Sequence, residues 1–239
     1  MSVNINADTT NGLVLTSDTS GELKLQSAGV DIATVSSTGI AMSSGMTLPA
    51  SALTGSLPAI DGSALTGIET GQVLEYITGV CDGNTVTTPH GSYTLTNVSA
   101  RQGLSTSYAV INGSSITYTP PANTKKVLYR FSFINGFNNN HAIEHFKFYI
   151  DSNEVTMARV TTSALYKEML VNFEWVIDIG NSTNSTTGRL SSWTTDKTLQ
   201  MRARYYGASN DGFLHETYYW DSAANSQLHK PTLTLIAIG

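Results

Sequence analysis

A chain of 239 residues is long enough for one ordinary domain and a further region. Only 13% of the residues are charged, about half the usual share, and the formal net charge is -5 with the lysines and arginines scattered. This pattern predicts no basic cluster for a phosphate backbone and excludes nucleic acid as the expected partner. The apolar runs are shorter than a membrane span, and the first residues lack a basic and then apolar signal, so we expect neither membrane insertion nor ordinary export.

The chain has a single cysteine, Cys81. It has no second thiol with which to form an intramolecular disulfide, so stability must come from packing or assembly. We interpret Cys81 as a small buried apolar residue.

Residues 1–71 are divided by frequent glycines into short alternating pieces. Each piece has the pattern of a brief strand with one apolar face, and no helical period is present. Short strands of this kind bury too little surface to offset about 1 to 2 kcal/mol of backbone ordering per residue. The pieces read "LVLTS", "ELKLQS", "VDIATVS" and "IAMSS".

Within this region, "LPA" and "SALTG" each occur twice between residues 48 and 67. If three identical chains wrap about one axis, each contributes one strand per layer and the apolar residues meet in the middle. We therefore predict that residues 1–71 form a trimeric attachment and shaft region. A disordered linker over residues 46–70 is the alternative interpretation.

Residues 72–239 have longer, aromatic-rich segments that alternate between apolar and polar residues. In residues 170–179, "LVNFEWVIDI", alternate residues would be buried on one face of an antiparallel strand. Seven or more such segments predict an antiparallel β-sandwich, a jelly roll. The one weak helical candidate is "SALYKEML", residues 163–170. The other predicted strands cover residues 127–134, 145–151, 155–161, 199–206, 215–220 and 232–238.

Turn-rich segments between these strands hold aromatic and amide side chains. Such side chains stack on sugars and form hydrogen bonds with them, so a host glycan is a candidate ligand. The same aromatic residues would also suit a core or a subunit interface. The candidate receptor-binding residues are Phe137, Asn138, Asn139, Asn140, Asn210, Asp211, Tyr219, Trp220 and Asp221.

The segment "HAIEH" matches an inverted zinc-peptidase motif. That chemistry needs a helix, whereas the neighbouring residues predict a loop entering a strand. In a strand, His141 and His145 would lie about 13 Å apart, too far to share one zinc. Both histidines stay weak candidates for a metal on a trimer axis.

Two carboxylates, Glu174 and Asp178, would lie about 13 Å apart on one strand, beyond the separation of a glycosidase pair. No nucleophile elbow and no phosphate-binding glycine loop occurs in the sequence. We therefore expect no catalytic residue, no cofactor and no enzymatic activity.

Several segments carry a resemblance to phage proteins. "GELKLQSAGVDIATVSSTGIAM" and "LPAIDGSALTGI" resemble shaft segments of tailed-bacteriophage fibres. "SSITYTPPANTKKVLYRFSF", "HFKFYIDSNEVTMAR", "WTTDKTLQMRARYY", "HETYYWD" and "KPTLTLIAIG" are similar to C-terminal domains of cyanophage virion proteins. The resemblance implies a homotrimer with a β-sandwich head like those of C1q and tumour-necrosis-factor domains, and it supplies no catalytic residues.

The leading hypothesis is a trimeric phage tail fibre, assembled in the host cytoplasm and mounted on the virion. Its N-terminal region would attach to other virion proteins, and its C-terminal head would bind a host-surface glycan or protein. A capsid head fibre or decoration protein of the same build is the close alternative. A polysaccharide depolymerase with carboxylates at inter-chain grooves ranks low, because such enzymes usually have a much longer β-helical body.

Overall fold

The computed structural model describes residues 23–37, 39–43, 71–137, 142–164, 168–207, 212–218, 220–221 and 226–239. These residues form strands joined by turns and contain no helix, which confirms the all-β prediction. Contacts within the chain divide it into two units, Met1–Leu65 and Thr66–Gly239. The predicted assignment of shaft and head to residues 1–71 and 72–239 stays a prediction.

The described part of the first unit is a three-stranded antiparallel sheet of β1 (Leu23–Ser27), β2 (Val30–Ser36) and β3 (Gly39–Met42), in that order. Ala28 and Gly29 join the first two strands with positive φ angles of 52° and 79°, which suit the twist of a two-residue hairpin. The pieces predicted from "ELKLQS" and "VDIATVS" therefore form strands. "LVLTS" and the repeated segments between residues 48 and 67 lie outside the described residues.

The second unit contains the remaining described strands, and all their mutual pairings are antiparallel. They are β4 (Val73–Val80), β5 (Thr85–Thr88), β6 (Gly91–Thr94), β7 (Gln102–Gly103), β8 (Ala109–Val110), β9 (Ile116–Tyr118), β10 (Lys126–Phe137), β11 (Ala142–Ile150), β12 (Asn153–Ala164), β13 (Glu168–Asp178), β14 (Lys197–Tyr205), β15 (Gly212–Leu214), β16 (Glu216–Thr217), β17 (Gln227–Leu228) and β18 (Thr232–Ile238).

Two sheets dominate this unit. The first sheet runs β4-β18-β10-β13, and β15 and then β7 continue it beside the second half of β10. The second sheet runs β12-β11-β14, and β8 and β9 share the far edge of β14. The curled antiparallel sheets are consistent with the predicted β-sandwich. Two small hairpins, β5-β6 and β16-β17, complete the described strands.

Alternating side chains from both sheets form one hydrophobic core. Tyr129 of the first sheet meets Phe148 of the second with ring centroids 4.9 Å apart, and Phe148 lies 5.5 Å from Phe173. Burying each such large side chain contributes about 1.5 to 3 kcal/mol. The Tyr129 hydroxyl donates to the carbonyl of Ser114 at 2.6 Å, so its polar atom is satisfied inside the core.

The buried role predicted for Cys81 is confirmed. Its side chain belongs to the core, and its thiol lies 3.3 Å from the carbonyl of Gly113. Burial, and secondarily the charge of Asp82, raises the pKa of Cys81 to about 12. The thiol is therefore protonated at neutral pH.

Two local predictions were wrong. The turn segment "NGFNNN" was expected over residues 135–140, but residues 135–137 are the buried end of β10. All three pair with β15, and Asn135 and Gly136 also pair with β13. The described residues of the helical candidate "SALYKEML" are the end of β12 and the start of β13. Here strand pairing overrides the local turn and helix signals.

Candidate binding surfaces

Four apolar side chains cross the outer face of the first sheet in a single line. The register places Tyr76 opposite Ile236, Ile236 opposite Leu128, and Leu128 opposite Val176, on four adjacent strands. Tyr76 is 54% exposed and Val176 is 43% exposed, while the two central residues are half-buried. These four residues are the apolar row. A contiguous apolar row of this kind is a candidate interaction site.

A line of polar side chains runs parallel to the apolar row and is displaced from it by two residues along each strand. This polar line consists of Thr78, Thr234, Arg130 and Glu174. The hydroxyls of Thr78 and Thr234 lie 2.8 Å apart, and Arg130 Nε donates to Glu174 Oε2 at 2.8 Å. The charges in this line pair with each other, so the line has no net charge. Burial of the neighbouring apolar row is therefore not opposed by an unpaired charge in this line.

The outer face of the second sheet is basic. Lys147 of β11, Arg159 of β12, and Arg202 and Arg204 of β14 form what we name the basic face. Glu154 pairs with Lys147 at 2.8 Å and with Arg159 at 2.5 Å. Within the described part of the chain, the two β14 arginines have no carboxylate partner. The basic residues are scattered along the sequence, but strand pairing brings these four together on one face.

Tyrosine rings hold three of these cations. Arg202 Cζ lies 4.3 Å from the ring centroid of Tyr149. Lys147 Nζ lies 4.3 Å, and Arg204 Cζ 5.2 Å, from the ring centroid of Tyr108. Cation–π contacts of this kind limit the freedom of long basic side chains. The signal that sequence reasoning missed is the spacing of Arg202 and Arg204, two residues apart on one strand and hence on one face.

The predicted glycan-binding residues have mixed placements. Trp220 is 60% exposed, and its neighbour Asp221 is exposed with a φ of 62°, so both side chains are accessible. Phe137 is only 1% exposed, so its ring lies in the interior and has no free face to stack on a sugar. The remaining candidates lie outside the described residues: Asn138, Asn139, Asn140, Asn210, Asp211 and Tyr219.

The described part of "HAIEH", residues 142–145, belongs to strand β11, which begins earlier than the predicted strand at residue 145. Glu144 is fully buried, whereas His145 belongs to the opposite face of the strand, where its ring lies 5.7 Å from that of Tyr206. His141 lies outside the described residues. In the part of the chain that the structure describes, no three His, Cys, Asp or Glu side chains form a group that suits a metal ion.

The Glu144 carboxyl is part of a buried polar cluster. Its Oε2 accepts hydrogen bonds from Asn135 Nδ2 and Thr162 Oγ1, both at 3.2 Å, while its Oε1 has no partner. Burial raises the pKa of Glu144 to about 7, although the two hydrogen bonds act in the opposite direction. The carboxyl is therefore partly protonated at neutral pH.

His215 is a second buried titratable group, and a backbone hydrogen bond with Asn112 only partly offsets the burial of its imidazole. Burial and, to a lesser extent, the charge of His229 lower the pKa of His215 to about 4. The imidazole is therefore neutral at neutral pH.

Among the described residues, no helix has the length and apolar character needed to cross a membrane. No protein-family model and no curated protein matches the chain.

Among solved structures, the chain has a weak likeness to infectious bursal disease virus. For the Gx strain the identity is 10% and the TM-score 0.32, covering 77% of this chain and 41% of the viral chain. For the Gt strain the identity is 11% and the TM-score 0.23, covering 66% and 44%. The chain thus spans less than half the length of the viral chains it matches. A likeness at this level carries no functional conclusion.

Proposed function

We propose that the protein is a virion structural protein, a homotrimeric phage tail fibre whose C-terminal β-sandwich is a host-adhesion head. The apolar row is the observation that carries the proposal. A monomer would leave the exposed parts of these four side chains in water, whereas contact between copies would recover about 25 cal/mol for each Å² of apolar surface buried. The neutral polar line beside the row suits such contact, because its charges already have partners.

The first unit supports assembly independently. Of the described residues in its three-stranded sheet, only Ala33 is buried, while Leu23, Leu25 and Ile40 are 43%, 47% and 70% exposed. A small sheet with no core of its own is marginally stable in water. Copies of the same chain that cover these two leucines and this isoleucine would supply the missing core, as expected of a fibre shaft.

The proposed adhesion role places the head at the virion exterior and the N-terminal region against other virion proteins. A host glycan or surface protein is the proposed receptor, and exposed Trp220 is one aromatic contact available to it. A capsid head fibre of the same build has the same surfaces. Gold-labelled antibody on intact particles distinguishes the two by labelling the tail or the capsid.

The test is the mass in solution, measured by multi-angle light scattering. We expect about three times 25.6 kDa for the natural chain. Val176→Lys places an ammonium in the apolar row and should shift the population toward monomer. Met157→Lys makes the same kind of change at a 65% exposed residue of the second sheet and should leave the trimer intact. A natural chain that stays monomeric at micromolar concentration would contradict the proposal.

A further inference from the structure

The basic face sets two cations, Lys147 and Arg202, directly opposite each other on paired strands. The register of β11 and β14 sets Lys147 directly opposite Arg202, and His145 directly opposite Arg204. Like charges in directly opposed positions destabilise a sheet. The charge of Arg204 also contributes, after burial, to a lowered pKa of His145. Glu154 offsets the charge of Lys147, but neither Arg202 nor Arg204 has a carboxylate partner among the described residues, so this arrangement indicates a function.

Several hydrogen-bond donors in this face have no acceptor. The Nε atoms of Arg202 and Arg204 are buried and have no partner, and the same is true of His145 Nε2. The Thr161 hydroxyl lies 3.3 Å from His145 Nδ1, and if it donates there, Nε2 carries the ring proton. Buried donors without an acceptor are rare in native proteins. The two guanidiniums and the imidazole are therefore short of acceptors, and an anionic oxygen bound at their accessible edges would offset this deficit.

The side chains of the face are held in place before any ligand arrives. Tyr108 lies under both Lys147 and Arg204, and Tyr149 lies under Arg202. Arg204 is further tied to the carbonyl of Thr106 at 3.4 Å. A guanidinium fixed in this way loses less side-chain freedom when it binds a carboxylate or sulfate. The face is therefore arranged as a preformed anion site.

We infer that the basic face binds the sulfate or carboxylate groups of an acidic host glycan. The inference rests on the proposed adhesion function for the source of the glycan, while the anion chemistry rests on the geometry alone. Nucleic acid fits the face less well. Single-stranded nucleic acids stack bases on free aromatic rings, whereas Tyr108 and Tyr149 are already covered by cations.

The experiment uses the full chain and three defined probes: sulfated dextran, neutral dextran of the same length and a single-stranded oligonucleotide. We expect binding to sulfated dextran that weakens with added salt, and no binding to neutral dextran. The double substitution Arg202→Gln with Arg204→Gln should lower the affinity at least about tenfold, because charge-assisted hydrogen bonds are the strong ones. Arg202→Lys should lose part of this affinity, since it keeps the charge but not the planar fork.

The matched control is Arg189→Gln, an exposed arginine paired with Asp178 at 3.6 Å, which should bind as the natural chain does. Thermal melting shows that every variant is folded. Equal binding by all variants, or no binding to sulfated dextran, overturns the inference, and tighter binding to the oligonucleotide overturns the choice of ligand. Host-cell binding without dextran binding would leave the adhesion function standing, and dextran binding without cell binding would leave the site but not the function.

Discussion

Replacing Glu144 by glutamine removes a buried acid while keeping its shape. The carboxyl of Glu144 is fully buried and accepts hydrogen bonds from Asn135 and Thr162. Glutamine retains one oxygen as an acceptor for them and gains an amide donor. The variant therefore isolates the cost of ionising this group.

The magnitude follows from the raised pKa of Glu144. The pKa is about 7 in the folded protein and has an ordinary value of 4.5 in the unfolded chain. Between these values the folded state retains a proton that the unfolded state has released. The stability from this group is therefore present below pH 4.5 and is lost as the pH rises to 7, a loss of about 3 kcal/mol.

His215 changes the stability with pH in the opposite direction to Glu144. Its pKa is lowered from 6.5 to about 4, so its contribution to stability is present above pH 6.5 and is lost as the pH falls toward 4. Between pH 4.5 and pH 6.5 both groups change the free energy of unfolding, and their effects oppose each other. The free energy of unfolding of the natural chain should therefore change little with pH, although the contributions of Glu144 and His215 are each large.

The assay is denaturant unfolding at fixed protein concentration between pH 4.5 and pH 8 for the natural chain and Glu144→Gln. We expect the stability of the variant relative to the natural chain to rise by about 3 kcal/mol from pH 4.5 to pH 7. His215→Gln should give the opposite sign, with its relative stability rising as the pH falls below 6.5. A Glu144→Gln difference that does not change with pH would refute the reasoning.

Three further predictions concern the core and the surface. Gly136→Ala should lower the free energy of unfolding by about 1 to 3 kcal/mol, because an added Cβ would overlap the buried ring of Phe213. Gly103→Ala is its control in thermal melts, because an added Cβ there would meet no atom within 4 Å apart from the adjacent residues, and equal effects would contradict the packing argument. The Cys81 thiol should react with a thiol reagent at pH 8 only after denaturant is added, given its raised pKa, and rapid labelling of the native protein would show otherwise. Trp220→Ala should reduce adsorption to host cells without changing the melting temperature, whereas unchanged adsorption would remove Trp220 from the receptor contact.

Sequence alternation predicted the strands that have a conventional buried face. In residues 170–179, Val171, Phe173 and Ile177 are all buried, as the period of two required. Strand β4 was missed because buried Glu75 interrupts its apolar face. That carboxylate is satisfied by the hydroxyls of Tyr93 and Tyr118, at 3.3 and 2.8 Å, and neither partner is near in sequence.

The turn predicted at residues 135–137 failed for a similar reason. Asn135 and Gly136 are turn formers by local preference. In the fold, the Asn135 amide donates to Glu144 and Thr162 on the second sheet, and Gly136 leaves room for the ring of Phe213. Contacts with other strands therefore override the local preference of Asn135 and Gly136 for a turn.

The two candidate surfaces depend on register, which is why composition did not reveal them. The apolar row joins Tyr76 to Val176 across four strands, and each strand contributes only one of its members. The basic face likewise joins Lys147 to Arg202. A slip of one residue in either sheet would move these side chains to the core face. Because the aromatic core prevents that slip, the residues that pack the sandwich also determine which side chains meet on its two outer faces.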